Sequence, residues 1–214
     1  MNLRLIVIAK EPIPGLVKTR LCPPCEPQEA ALIAEACLRD TLAAVADLEC
    51  GHKILALDGS PGDWLPAGFG VIPQRGSDLG DRLTNAFMDV GGPCLLVGMD
   101  TPQLTPALLR HAMGCLLNPR VDAVLGPTVD GGWWALGVKR PHPRMFESVP
   151  MSTPQTYIHQ RRRLSSLGLR IRALPVLRDV DHFADARLLA SAFPHLKMAR
   201  SVSALPYVEE PASA

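Results

Sequence analysis

Short apolar runs alternate along this chain with segments of helical periodicity, and that alternation restricts the fold more than any other feature. LRLIVIA, from Leu3 to Ala9, is rich in β-branched residues and lacks polar alternation, which predicts a strand buried on both faces. EPQEAALIAEACLRDTLAAVADL follows, with Pro27 near the first helical position and apolar residues at helical spacing to Leu48, so it predicts a helix. Lys53 to Leu57 and Gly70 to Pro73 read as strands, and Leu79 to Val90 as a helix capped by Asp78. Cys94 to Met99 reads as another buried strand, followed by a helix that Thr105 caps and Pro106 opens, through Leu117. Strands over Asp122 to Gly126 and Trp134 to Val138 come next, then a helix opened by Thr153 and Pro154 and ended by Gly168. A strand in LRIRAL and a helix from His182 to Phe193 complete the series. Strands that alternate with helices imply a mainly parallel, mixed sheet covered on both sides, a single-domain three-layer α/β/α sandwich.

With 214 residues and 47% hydrophobic content the chain can bury one substantial core, and no repeat or linker divides it. The domain is expected over residues 1–200, with residues 201–214 (SVSALPYVEEPASA) as a loose tail. Lys and Arg number 22 against 21 Asp and Glu, a net charge of +1, so neither a nucleic acid nor a membrane surface is an expected partner. Lys10 and Glu11 stop the first apolar run too early for a signal-peptide core or a membrane span, and the chain reads as soluble and cytoplasmic. Six scattered cysteines read as reduced thiols.

In open sheets of this kind ligands bind beyond the carboxyl ends of the strands, so the polar residues that follow the apolar runs are the candidates for chemistry. The first such loop holds Lys10, Lys18 and Arg20 with two prolines and Gly15, a set that can neutralise a polyphosphate while glycine lets the backbone approach; the plainer reading is a solvated basic loop. Asp100 stands where the Cys94–Met99 run emerges, placed either to hold a divalent cation or to cap the turn before Pro102. Asp179 and Asp181 follow the last strand two residues apart and can face the same way, although Asp181 can equally cap the final helix. Asp130-Gly131-Gly132 is followed by Trp133 and Trp134, and reads as a hairpin turn or as a ligand wall. Both tryptophans cannot face the core, so one is expected near a cleft, free to stack on a sugar or base. Arg75, Asp78 and Arg82 form a further polar loop, with Asp78 a cap and the arginines possible ligand contacts.

Other clusters are less telling. Cys22-Pro23-Pro24-Cys25 could be a redox pair or half a zinc site, but no second pair accompanies it. Arg161-Arg162-Arg163 would splay around a helix and reads as a solvated face, and the histidines lack metal-ligand spacing.

Taken in order, KEPIPGLVKTRL, GSDLGDRL, LLVGMDTPQLTP, GPTVDGGWWALG, STPQT and DVDHFADARLL resemble an uncharacterised bacterial family with the glycosyltransferase-A (nucleotide-diphospho-sugar transferase) fold, over Leu3 to about Ala190. Some members of that family are labelled glycosyltransferases. The fold is also that of molybdenum-cofactor and 2-phospholactate guanylyltransferases, and Lys18-Thr19-Arg20-Leu21 looks like the phosphate loop of the latter. The resemblance implies a transferase that uses a nucleotide sugar, or alternatively a nucleoside triphosphate with release of pyrophosphate, together with a small-molecule acceptor and Mg²⁺ or Mn²⁺. It implies Lys10, Gly15, Lys18, Arg20, Arg75 and Asp78 on the nucleotide and its phosphates, with Lys18 and Arg20 stabilising charge in the reaction. The metal would sit on Asp100 and Asp181. Asp130, Gly131, Gly132 and Trp133 would face the sugar or acceptor, with Asp130 as base if the acceptor is a hydroxyl. Two departures stand out: Asp100-Thr101-Pro102 lacks the Asp-x-Asp of many metal-dependent glycosyltransferases, and His182 replaces a small hydroxyl residue.

Overall fold

A computed structural model describes residues 3–206 of the chain. Among them the strands are β1 (Arg4–Lys10), β2 (His52–Asp58), β3 (Phe69–Pro73), β4 (Cys94–Gly98), β5 (Ala123–Pro127), β6 (Trp133–Val138) and β7 (Ile171–Ala173). The helices are α1 (Pro27–Ala46), α2 (Leu79–Val90), α3 (Pro106–Leu117), α4 (Thr156–Ser166), α5 (Phe183–Ala192) and α6 (Lys197–Ser203). The strands form one sheet in the order β3-β2-β1-β4-β6-β5-β7. Only β6 runs against its neighbours, β4 and β5; the other pairings are parallel.

The absence of polar alternation in β1 has the expected cause. Leu5, Val7 and Ala9 join the core beneath α1 and α3, while Ile6 joins the opposite core with Leu83 and Phe87 of α2 and Leu164 of α4. Helix starts follow their caps: Asp78 accepts from the Asp81 amide at 2.8 Å and Thr105 from the Leu108 amide at 3.1 Å. Pro27 opens α1 beside reciprocal bonds between Glu26 and Glu29.

Two boundaries differ from expectation. Helix α4 begins at Thr156 rather than at Thr153, because Thr153 turns the chain: its carbonyl accepts from both the amide and the hydroxyl of Thr156. Helix α6 is not signalled by its own sequence, and it runs through Ser203, so the tail boundary expected at Ser201 falls inside a helix. Residues 207–214 of that tail lie outside the described residues.

Helix α6 exists because α1 caps it from outside. Its N-cap, Leu196, has no side-chain bond to offer, and Asp40 of α1 instead accepts from the amides of Lys197 and Met198, both at 3.0 Å. Met198, Ala199 and Val202 are then buried. Asp40→Ala leaves two amides without an acceptor and is expected to lower stability by about 1–2 kcal/mol, checked by urea unfolding. No described helix is long and apolar enough to cross a membrane.

Candidate active site

The carboxyl ends of β1, β4 and β5 share one edge of the sheet, and the segment that follows β7 completes it. The Leu174 amide donates to the Leu125 carbonyl at 3.0 Å, and beyond Pro175 the ladder resumes. Leu177 donates to Pro127 at 3.1 Å and Val129 donates to Leu177 at 2.9 Å. The Trp134 indole N–H donates to the Pro175 carbonyl at 2.9 Å, which holds the interruption in place. This pairing carries Asp179 and Asp181 to the turn that bears Asp130, where oxygen atoms of all three carboxylates lie within 4.8 Å of one another. Val180 between them is fully buried, so the two acids share the outward side of an extended segment.

Asp181 does not cap α5. His182 takes that position, exchanging bonds with Asp185, whose Oδ2 accepts from the His182 amide at 2.9 Å. The histidine that departs from the family pattern thus does the capping that a hydroxyl residue would do, and Asp181 is left for the acidic cluster. Asp179, which lay outside the metal pair implied by the resemblance, is a full member. Its signal was present in the Asp-x-Asp spacing of 179 and 181; its nearness to Asp130 was not, because it depends on the β5 ladder.

Burial first, and then the negative charges of Asp130, Asp181 and Asp100, push the Asp179 carboxyl up to about 7. A carboxylate raised in the fold binds more protons than its unfolded counterpart between the ordinary value of 3.8 and about 7, so its contribution to stability falls as pH rises through that window. Melting temperatures of the metal-free protein and of Asp179→Asn are therefore expected to diverge from pH 5 to pH 8, with the wild type losing more. Parallel pH profiles would mean that burial and the neighbouring charges do not raise Asp179.

Lys18 and Asp100 face each other at 2.6 Å, with the lysine side chain 7% exposed and the aspartate 41%. The lysine also donates to the Val180 carbonyl. Burial would lower its pKa, yet Asp100, together with Cys37 and Asp181, more than offsets this and holds the ammonium above its ordinary value, so it stays charged. The sequence assigned Asp100 to a metal and Lys18 to phosphate; in the structure each is engaged by the other. Arg20 pairs with Asp181 at 2.9 Å and remains 58% exposed, while Lys10 is exposed at the end of β1 and Gly15 sits in an open turn with φ of 79°.

The Asp130 turn is the hairpin connection between β5 and β6, so the structural reading of Asp-Gly holds. Asp130 Oδ1 accepts from the Thr128 hydroxyl at 2.5 Å and from the Gly132 amide at 2.9 Å, which fixes its carboxylate. Gly131 has φ of 90°, and a β-carbon there would lie 1.9 Å from the Pro154 carbonyl oxygen. Of the two tryptophans, Trp134 enters the core, and Trp133 is half-buried and stacked on Phe146 with ring centroids 6.3 Å apart. Its ring is thus shared with the core rather than standing free in a cleft.

Arg75 and Asp78 lie in the loop after β3 and have protein partners. Arg75 grips both oxygens of Asp89 at 2.5 and 2.8 Å, and Asp78 caps α2. Arg82 pairs with Asp58 at 2.5 Å. None of the six cysteines forms a disulfide among the described residues. In the arginine run, Arg161 and Arg162 are exposed as a solvated helix face would be, while Arg163 is largely covered and bonds Glu147 and the Arg144 carbonyl.

A sequence profile of a family described as uncharacterised proteins conserved in bacteria, DUF2064, matches residues 35–153, more than half of the chain. The chain belongs to that family. Like this DUF2064 chain in fold is a candidate nucleotide-diphospho-sugar transferase from Desulfovibrio desulfuricans G20, with a TM-score of 0.83, 26% identity and 95% of each chain covered. CMP:2-keto-3-deoxy-manno-octonic acid synthetase, solved with CTP, superposes with a TM-score of 0.59 at 13% identity, over 91% of this chain and 99% of its own. Rv0371c of Mycobacterium tuberculosis H37Rv, solved in complex with manganese, does so with a TM-score of 0.52 at 20% identity, over 88% and 97%. No curated protein matches this DUF2064 sequence. The fold is the nucleotide-diphospho-sugar transferase type expected from the motifs, a mixed sheet between two helical layers.

Proposed function

We propose that the protein is a transferase that takes a nucleotide-diphospho-sugar as donor and works with a divalent cation, Mg²⁺ or Mn²⁺, held by Asp130, Asp179 and Asp181. The observation that carries this reading is the convergence of those three carboxylates at the ligand-binding edge of a sheet of this type. The donor set fits a hard cation, which takes oxygen ligands, and the three carboxylates bring their negative charges together at one point. Asp100 is left out of this set because it lies outside the three-carboxylate cluster and its Oδ1 pairs with Lys18. The manganese complex of Rv0371c, a protein of the same fold, is in keeping with the choice.

When bound, the cation supplies neutralisation of charge on the donor's phosphates. The chain's own residues do the rest. Arg20, exposed beside Asp181, offers a fork for phosphate oxygens, and Lys10 adds a point charge from the end of β1. Gly15 lets the loop between them approach the ligand. Asp130, with Oδ1 committed to Thr128 and Gly132, has its other oxygen left for the cation, and a phosphorylated acceptor would need no base at all.

Nucleotidyl transfer is the second reading, favoured by the missing Asp-x-Asp at Asp100-Thr101-Pro102 and by the likeness to a synthetase solved with CTP. A thermal-shift panel of nucleoside triphosphates and nucleotide sugars, each with and without Mg²⁺ or Mn²⁺, tests both, because a ligand of the native state raises its melting temperature. A metal-dependent shift with a nucleotide sugar and release of nucleoside diphosphate supports glycosyl transfer. A shift with one triphosphate and release of pyrophosphate moves the second reading ahead. If no nucleotide shifts the protein in either condition, both readings fall.

A further inference from the structure

Lys18 is the one cation of its loop that the fold withdraws from solvent. Its backbone is left-handed, with φ of 49° and ψ of 34°, a conformation uncommon for a residue with a β-carbon. Its side chain is 7% exposed and reaches Asp100 at 2.6 Å and the Val180 carbonyl. The amide of the same Val180 donates to the Asp100 backbone carbonyl at 2.9 Å. Both polar groups of that peptide residue are therefore held, one by the Asp100 backbone and the other by the lysine that grips the Asp100 side chain. Two residues earlier, the Arg178 carbonyl accepts from the Gln103 side-chain amide at 2.5 Å, and one residue later Asp181 pairs with Arg20. Val180 lies between Asp179 and Asp181, so gripping it from the core side fixes the direction in which both acids project.

We propose that Lys18 is a positioning residue: by clamping the Val180 carbonyl against Asp100, it holds the segment 179–181 so that Asp179 and Asp181 converge on Asp130, and it takes no phosphate itself. This rests on the reading of the three carboxylates as a cation site. Three roles for Lys18 make opposite predictions. A neighbouring positive charge repels a divalent cation, so if charge were its whole contribution, Lys18→Met would tighten cation binding. A phosphate ligand would leave the cation alone and weaken nucleotide binding. A positioning residue, when removed, weakens the cation although it never touches it.

The test titrates Mn²⁺ alone, without nucleotide, into wild type, Lys18→Met and Lys18→Arg, reading free Mn²⁺ by electron paramagnetic resonance. In parallel, amide hydrogen exchange of residues 179–182 is followed in the metal-free proteins. Lys18→Met is expected to weaken Mn²⁺ at least 10-fold and to accelerate exchange of the Val180 amide at least 10-fold. Lys18→Arg keeps the charge but not the fit, and is expected to weaken Mn²⁺ as well; it also keeps the proposal testable if the methionine variant does not fold. Unchanged or tighter Mn²⁺ binding in either folded variant, with exchange unaltered, would overturn the proposal. If wild type binds no Mn²⁺, the cation reading falls by itself, and the exchange rates alone decide whether Lys18 holds the segment.

Discussion

Asp181→Asn is expected to abolish the rise in melting temperature that Mn²⁺ produces and to weaken Mn²⁺ by about 100-fold or more, the upper end of what losing even an outer-shell partner costs. The metal-free protein should be unharmed. The ion pair that the variant loses joins a 58% exposed Arg20, and exposed pairs contribute little. Meanwhile the variant removes one of the charges that push Asp179 up, so its metal-free melting temperature at pH 8 should equal or exceed that of wild type. This combination, metal response lost and metal-free stability kept, separates a ligand from a structural acid. A retained Mn²⁺ shift in Asp181→Asn would take it out of the cation site.

Gly131→Ala is expected to produce the largest loss of stability of any single methyl addition in the site, about 3 kcal/mol or more. Two costs combine. With φ of 90° an L-residue is strained, and the added β-carbon would lie 1.9 Å from a backbone oxygen of Pro154, which no rotamer change can relieve. The Tyr157 amide also donates to the Gly131 carbonyl at 2.8 Å, so the start of α4 would have to move away from the turn that presents Asp130. Gly15→Ala is the matched control: φ is 79° and nothing lies within 4 Å of the added carbon, so only the backbone strain of about 1–2 kcal/mol applies. Urea unfolding of the two variants checks the contrast. Equal losses would mean that the turn and the Pro154 segment are not locked together.

The order of elements was legible, because each buried strand and each cap is a local signal: the bounds of α2 and α3 follow from Asp78, Thr105 and Pro106. The loops that carry Arg20, Asp100, Asp130 and Asp181 were legible too, since each follows an apolar run at the ligand-binding end of the sheet. Helix α6 was not, because the group that caps it, Asp40, is 157 residues away in α1. Nor was the structural use of Gly131, whose constraint comes from a carbonyl in the segment before α4.

The sharpest difference concerns which charges meet. The sequence alone settles that cations follow the first strand and acids follow the fourth, fifth and seventh, because hydrophobic periodicity sets where each strand ends. It holds no information on how these groups sort themselves across loops that lie far apart along the chain. That sorting is a matter of distance, and the ladder that runs from β5 to Leu177, together with the burial of Val180 and Lys18, supplies it. Lys18 is thereby matched to Asp100, and Asp179 is pressed against Asp130 and Asp181, since charges removed from water are governed by whichever neighbour the backbone brings within a few ångströms.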